Sequence, residues 1–272
     1  MSHAEDDRGH DGPYLHTGRV PASVDPLSAW ALRPCLAVPG RTGRRLASVP
    51  ATVPRRRRVL AGALAVSAPI ATQIYPAALG DAPQLAGMIA RAALETDLAR
   101  WLVPHHRTRG QIVRDYFQLH LEQALRNGWV DTTADLAGVA VWRAVATGSR
   151  PAEPAAAGEL VAVTGPYADR FRALHELCAA YHPTGFAHAH LAVMAVQPGR
   201  QGQGIGGALL DARHAKLDEH GRAAYLEANS AQVCALYLRH GYQLLPDAPF
   251  RLPDGGPAIY PMVRPPCPRR PG

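Results

Sequence analysis

The sequence has no uninterrupted apolar run of the roughly 18 residues that a membrane-spanning helix needs, which argues against a transmembrane segment. Its four cysteines, Cys35, Cys178, Cys234 and Cys267, are scattered without a CxxC or Cys/His spacing. That distribution argues against a metal site and a disulfide scaffold and points to a reducing, cytoplasmic compartment. The net charge of +7 is also unevenly spread: residues 1–58 hold ten arginines against five acids, a balance of +5 that leaves about +2 for the rest. A high isoelectric point would ordinarily favour a nucleic-acid partner, but here it mostly reflects a basic tail without interleaved aromatics, and no such partner is expected.

What is present is a globular composition, 47% apolar over 272 residues, enough for one sizeable core. Residues 1–72 are rich in Pro, Gly, Arg and Ala and carry no sustained period of 2 or 3.6, so they read as a disordered or weakly structured extension. Arg55 to Arg58, followed by an apolar stretch, resembles the start of an export signal, although it lies more than fifty residues in. A linker or a start-site extension is the competing reading. Residues 73–265 read as one domain, and 266–272 as a frayed tail.

Within the domain, Ile74 to Ala77 suits a strand, and Asp81 suits the cap of a helix that runs through Ala93 with Leu85, Met88 and Ile89 on one face. A second helical pattern spans Gln111 to Leu125, preceded by an aromatic and basic connection, Trp101 to Arg107. Asn127-Gly128 ends that helix. Trp129 to Thr133 and Gly138 to Ala144 read as strands, residues 147–158 as a loop, and Ala168 to Tyr181 as a helix. Then follow strand His188 to Val196, strand Ala223 to Ala228, and a final pair near 242–245 and 257–263.

The most informative stretch lies between Leu191 and Tyr242. An apolar strand gives way to a turn and to Gly202, Gly204, Gly206 and Gly207, and a helical pattern follows. Free backbone N–H groups gather at such a helix start, and glycines let a pyrophosphate approach them, so a nucleotide-like anion is the first expectation. Gly202-Gln203-Gly204-Ile205-Gly206-Gly207 satisfies GxGxxG, with Glu227 twenty residues after Gly207, which is locally the fingerprint of a Rossmann NAD(P)-binding oxidoreductase. Five residues, Gln197 to Gln201, nevertheless separate the strand from the first glycine. Only about 65 residues remain beyond Gly207, and they read helix, strand, helix, strands rather than repeated βα units.

Gln201-x-x-Gly204-x-Gly206, preceded by Met194-Ala195-Val196-x-Pro198, resembles the acetyl-coenzyme A loop of the GCN5-related N-acetyltransferase (GNAT) family. LEANS and LYLRHGY resemble that family's next strand and its tyrosine-bearing helix. WLVP at 101, GWV at 128, GVAVW at 138 and the LPDGGPAIYPM ending are similar to the puromycin N-acetyltransferase-like group. The resemblance covers roughly residues 73–265 and implies the GNAT fold, an α/β (α+β) architecture. Its mixed central sheet would have six to seven strands, splayed at strands 4 and 5, with helices on both faces.

The resemblance also implies chemistry. Acetyl would pass from the cosubstrate acetyl-coenzyme A to a primary amine of a small molecule, by direct attack in a ternary complex. Met194, Ala195 and Val196 would lie beside the pantetheine. Gln201, Gly202, Gln203, Gly204, Ile205, Gly206 and Gly207 would hold the pyrophosphate, with Arg200 or Gln203 offsetting its charge. Tyr237 takes the place of the general acid. Glu227, with His190 as a second candidate, takes that of the base. The family's Asn position is occupied by Ser230, with Asn229 one step earlier as the candidate pantetheine contact. No metal is implied, and a homodimer stays open. A second functional class, a non-catalytic acyl-coenzyme A sensor, follows from the altered Asn and basic positions. For the acceptor, Trp101, His105, His106, Arg107, Tyr116 and the 246–258 loop are the residues of interest.

Overall fold

The computed structural model of the chain describes residues 72–151 and 156–267. The export-like stretch and most of the expected extension lie outside the described residues, as does the tail from 268. Seven helices and eight strands follow one another among the described residues. β1 (Ile74–Pro76) leads into α1 (Ala82–Ala93), α2 (Asp97–Leu102) and α3 (His106–Asn127). β2 (Trp129–Thr133) and β3 (Gly138–Val145) form a hairpin, and α4 (Ala157–Thr164) and α5 (Ala168–Tyr181) follow. The second half runs β4 (His188–Val196), α6 (Ile205–Glu219), β5 (Ala223–Ala228), α7 (Ala231–Arg239), β6 (Gln243–Leu244), β7 (Phe250–Arg251) and β8 (Ala258–Arg264).

The sheet order is β1-β2-β3-β4-β5-β8-β6, with β7 on β8. Its neighbours are antiparallel except for β4 and β5, which pair in parallel. A single parallel pair is incompatible with a doubly wound dinucleotide fold, so the Rossmann alternative is discarded. The sheet has eight strands rather than six to seven. The addition is β7, only two residues long, whose pairing with Ile259 and Ala258 no sequence period of that length announces.

Alternation along the strands divides the core. Ala140, Trp142, Leu191, Leu226 and Met262 face α6 and α7, together with Leu209, Leu210, Cys234 and Tyr237. Val139 and Val141 face Leu85, Met88 and Ile89 of α1 and Leu121 of α3. Helices therefore cover both faces. A third cluster joins α2, α3 and α5 to β7 and β8 through Trp101, Phe171, Phe250 and Ile259.

Several local expectations change. Asp81 is the N-cap residue of α1, as expected, but its carboxylate accepts from the Ala78 N–H at 2.8 Å and makes no cap hydrogen bond to that helix, because a 3-10 turn precedes it. The expected connection around Trp101 is partly helix: the Thr96 hydroxyl caps α2 by accepting from Ala99 N–H at 3.2 Å. α3 starts five residues before the expected Gln111, taking in His106 and Arg107. α4 arises in a stretch whose Ala and Pro content read as loop. Cys178 and Cys234 carry no disulfide, as expected, whereas Cys267 is disulfide-bonded; scattered spacing does not report which thiols meet in space.

Candidate functional site

The site is organised by the separation of β4 from β5. Their ladder covers only His188 to Leu191 against Ala223 to Leu226, although β4 continues to Val196 and β5 to Ala228. Against β3, the register shifts so that Val193 opposes Val141 and Leu191 opposes Trp142, leaving Ala192 as the extra residue of a bulge. A bulge bends and twists its strand, which provides a physical reason for β4 to leave β5 here. It also reverses the alternation. Leu191, Met194 and Val196 pack on the α6/α7 side, while Val193 and Ala195 pack on the α1 side. Beyond Leu191, the β5-facing edge of Ala192 to Val196 has no strand partner, so its backbone groups are available to an extended polar ligand.

The glycine loop follows directly. Gly199, Gly202 and Gly204 have φ of +82°, +77° and +84°, and Gly204 is the N-cap of α6. L-residues rarely adopt that left-handed conformation, which explains glycine at Gly204. The backbone N–H groups of Gly202 to Gly207 lie in the loop and first turn, where a helix lacks internal partners. Ile205 itself is buried, and Gly138 lets its side chain approach β3: a Cβ on Gly138 would come within 2.5 Å of Ile205 Cγ2. The Gln201 side chain turns back to donate to Val196 O at 3.4 Å. Arg200 donates to Gln203 Oε1 at 2.9 Å and to Asp135 Oδ2 at 3.0 Å, so its charge is already answered by Asp135.

Beyond β5, Asn229 precedes α7. Ser230 caps that helix, its hydroxyl accepting from Val233 N–H at 3.3 Å. Ser230 thus has a helix-capping reason to be there. Tyr237 of α7 is buried, edge-on to Tyr242 at 5.6 Å between centroids. Burial raises its hydroxyl pKa well above the ordinary value, so the proton is retained at neutral pH.

On the opposite face, Glu227 and Tyr225 of β5 meet His188 and His190 of β4 and His182 at the C-cap of α5. His190 Nε2 lies 2.7 Å from Glu227 Oε2; the carboxylate can only accept, so this nitrogen donates. Burial alone would raise the Glu227 carboxyl, but the adjoining His190 ring, with its hydrogen bond, and the nearby His182 ring outweigh it and hold the group ionised. His190 Nδ1 is buried and has no hydrogen-bond partner among the described residues. The contact at 2.7 Å has the length of a charge-assisted hydrogen bond. Burial lowers the pKa of His182, and lowers that of His188 to about 4, keeping both neutral near pH 7.

The sequence expectations thus divide by place. The structure brings together Glu227 and His190, strings Met194, Ala195 and Val196 along the open edge, and collects Gln201 to Gly207 at the start of α6. Tyr237 packs on the other face of the sheet, in the cluster that holds Leu191, Leu226 and Met194. Trp101 is committed to packing, donating to Pro253 O at 3.0 Å, and Tyr116 pairs with His175 Nε2 at 2.7 Å; His105, His106 and Arg107 are exposed. Sequence reasoning missed His182, His188 and Tyr225. The alternation of His188 and His190 on a strand was a signal for one shared face. Nothing in the sequence indicated His182. A cavity of about 530 Å³ lies elsewhere, lined by Pro76, Trp129, Asp131, Arg213, Lys216 and Arg222 among others, and includes none of these groups.

Comparison with known proteins matches residues 171–244 to an acetyltransferase (GNAT) domain. That span runs from α5 to β6 and contains the gap, the glycine loop, Glu227 and Tyr237. Among solved structures, one from Corynebacterium glutamicum, described as histone acetyltransferase HPA2 and related acetyltransferase, is 26% identical. It covers 73% of this chain and 98% of its own, with a TM-score of 0.57. Arylalkylamine N-acetyltransferase 2 from Aedes aegypti is 12% identical, covering 71% and 98%, with a TM-score of 0.48. The PaiA N-acetyltransferase from Thermoplasma acidophilum, solved in complex with coenzyme A, is 12% identical over 72% and 99%, with a TM-score of 0.45. No curated protein gives a significant match.

Proposed function

We propose that this chain, in which residues 171–244 match a GNAT acetyltransferase domain, is an acyltransferase that moves acetyl from acetyl-coenzyme A to the primary amine of a small molecule in a ternary complex. The observation that carries this reading is the partnerless edge of Ala192 to Val196, set between the glycine turn of α6 and the His190–Glu227 pair. Pantetheine amides would pair with that edge. The pyrophosphate would rest on the N–H groups of Gly202 to Gly207, each contact to a charged oxygen worth about 1.5–3 kcal/mol. Asn229, at the end of β5, would add a side-chain contact to the pantetheine.

Acyl transfer then needs a base, a polarised thioester and a proton for the leaving thiolate. His190, donating from Nε2 to Glu227, has its remaining lone pair on Nδ1. That atom takes the proton from the ammonium, directly or through one water, while Glu227 orients the ring and stabilises the imidazolium. Glu227 thereby serves as half of the base. The amine attacks the thioester carbonyl, the C–S bond breaks, and the Tyr237 hydroxyl delivers its proton to the departing sulfur. Acid and base approach the gap from opposite faces of the sheet, which supports attack and departure on opposite sides of the carbonyl.

The side chains of His190 and Glu227 are only 10% and 12% exposed. Such enclosure supports a small amine over a broad macromolecular surface. No helix among the described residues is long and apolar enough to cross a membrane. Acetyl-coenzyme A is multiply charged and does not cross a bilayer unaided, which supports a cytoplasmic site of action. The test is thiol release from acetyl-coenzyme A over a panel of antibiotics, polyamines, amino acids and peptide N-termini. Acetylation of one class of small amine is expected. Cofactor binding with no release for any amine would instead identify a sensor.

A further inference from the structure

The Glu227 carboxylate has two oxygens in different situations. Oε2 accepts from His190, whereas Oε1 is buried, has no hydrogen-bond partner among the described residues, and lies 3.7 Å from His182 Nδ1, which is equally without one. The reason begins two residues before His190. His188 Nδ1 lies 3.0 Å from the Phe186 carbonyl, which can only accept, so Nδ1 carries the His188 proton. His188 Nε2 is then a bare lone pair, and the contact of 2.9 Å between it and His182 Nε2 requires His182 to donate. A neutral His182 donating from Nε2 has its own lone pair on Nδ1, aimed toward a carboxylate oxygen. Two acceptors thus face each other in a buried site.

We propose that His182 is a positioning residue for the acceptor-side base: locked by His188 and the Phe186 carbonyl, it withholds a donor from Glu227 Oε1, so the carboxylate charge acts on His190. The inference rests on the acetyltransferase reading. When His190 Nδ1 takes the ammonium proton, the His190 imidazolium is answered by a carboxylate to which neutral His182 donates nothing. If the cluster gains a further proton from solvent, that proton goes to His182 Nδ1, which then donates to Oε1 and weakens the hold on His190. His182 therefore sets how far the base can be acidified and still work. The helical connection between β3 and β4 acquires a purpose, because α5 delivers this residue to the sheet.

The groups that face the cluster are Tyr225 on β5, His188 and His190 on β4, Cys178 on α5, Arg143 on β3, which pairs in register with His190, His120 on α3 beside that arginine, and the more distant charge of Arg150 in the connection. Burial, and then the Glu227 charge, push the Tyr225 hydroxyl well above its ordinary value, so it stays neutral and cannot replace His182 as a proton acceptor.

The test has two arms on the full chain. Long-range 15N–1H spectra of histidine-labelled protein at pH 8 are expected to show His188 protonated on Nδ1 and His182 on Nε2 alone. A doubly protonated His182, or one protonated on Nδ1, overturns the proposal whether or not any amine is acetylated. In the second arm, His182→Gln, which places an amide donor near Oε1, is compared with wild type on whichever amine the panel identifies. A tenfold or larger fall in kcat and a displaced acid limb of kcat/KM are expected, with the KM for acetyl-coenzyme A changed less than twofold. An unmoved acid limb in a folded, cofactor-binding variant sinks the positioning role and leaves the acetyltransferase reading standing. A wild-type chain that acetylates nothing sinks that reading, and the spectra still decide the tautomer. If His182→Gln does not fold, His188→Gln serves as the second variant, since it breaks the tautomer lock without entering the pair.

Discussion

Lowering the pH from 7.5 to 5 should destabilise this domain by about 4 kcal/mol, and the buried histidines supply the reason. Burial lowers the His188 pKa from 6.5 to about 4 and that of His214 from 6.5 to about 2. His214 sits with Nε2 against the Tyr242 hydroxyl at 3.1 Å, and the neighbouring Arg264 and His240 charges add to the effect of burial. The folded state therefore binds protons more weakly than the unfolded chain. The stability from each neutral histidine is fully present above pH 6.5 and falls as the unfolded chain takes up its proton, down to about pH 4 for His188 and about pH 2 for His214. Each pH unit within that window is worth about 1.4 kcal/mol per group. At pH 5, 1.5 units below the unfolded value, the loss is about 2 kcal/mol for each, a large part of the roughly 5–15 kcal/mol that holds a typical domain. His120 and His182, also lowered by burial, act with the same sign, so two protons are a lower bound. Glu227 enters only at lower pH: its carboxyl is held below its ordinary 4.5, so its contribution is lost as pH falls beneath that value. Urea unfolding followed by circular dichroism at pH 7.5, 6, 5.5 and 5 measures the slope. A dependence below about 1.4 kcal/mol per unit between pH 6 and 5, less than one proton, would refute the reasoning. His188→Gln should remove about half of the predicted two-proton slope.

Tyr237→Phe should lower kcat by about 100-fold or more and leave the acetyl-coenzyme A dissociation constant within twofold; unchanged turnover would remove the general-acid assignment. Gly204→Ala forces a side chain into φ +84° and should cost about 1–2 kcal/mol of stability, along with cofactor affinity measured by calorimetry; an unaltered affinity would show that the loop does not hold the pyrophosphate. Asp131→Ala strips Arg213 of its two-point partner at 2.7 and 2.9 Å in a pair less than 10% exposed, and should cost about 3–5 kcal/mol in chemical denaturation. A loss below 1 kcal/mol would mean that stacking of Arg213 on Trp129 suffices.

The glycine spacing, the strand before it and LYLRHGY after it placed Gly204 at a helix start and Tyr237 on the following helix from sequence alone. Those are local matters: a left-handed turn demands glycine, and a period of 3.6 follows. Strand limits at Trp129–Thr133 and Ala223–Ala228 were legible for the same reason, since alternation against a two-sided core is written residue by residue. α4 and the bonding of the Asp81 carboxylate back to Ala78 were not, because composition there favours neither outcome and packing decides. The sequence by itself determined that a glycine turn and a helix join two strands and that Glu227 and His190 both lie on strands. Only the tertiary structure decided that the bulge at Ala192 separates those strands and that Cys267 forms a disulfide. It alone decided that α5 returns across the sheet to set His182 against the carboxylate. A contact between residues 45 apart depends on where two elements dock, and no spacing along the chain records that.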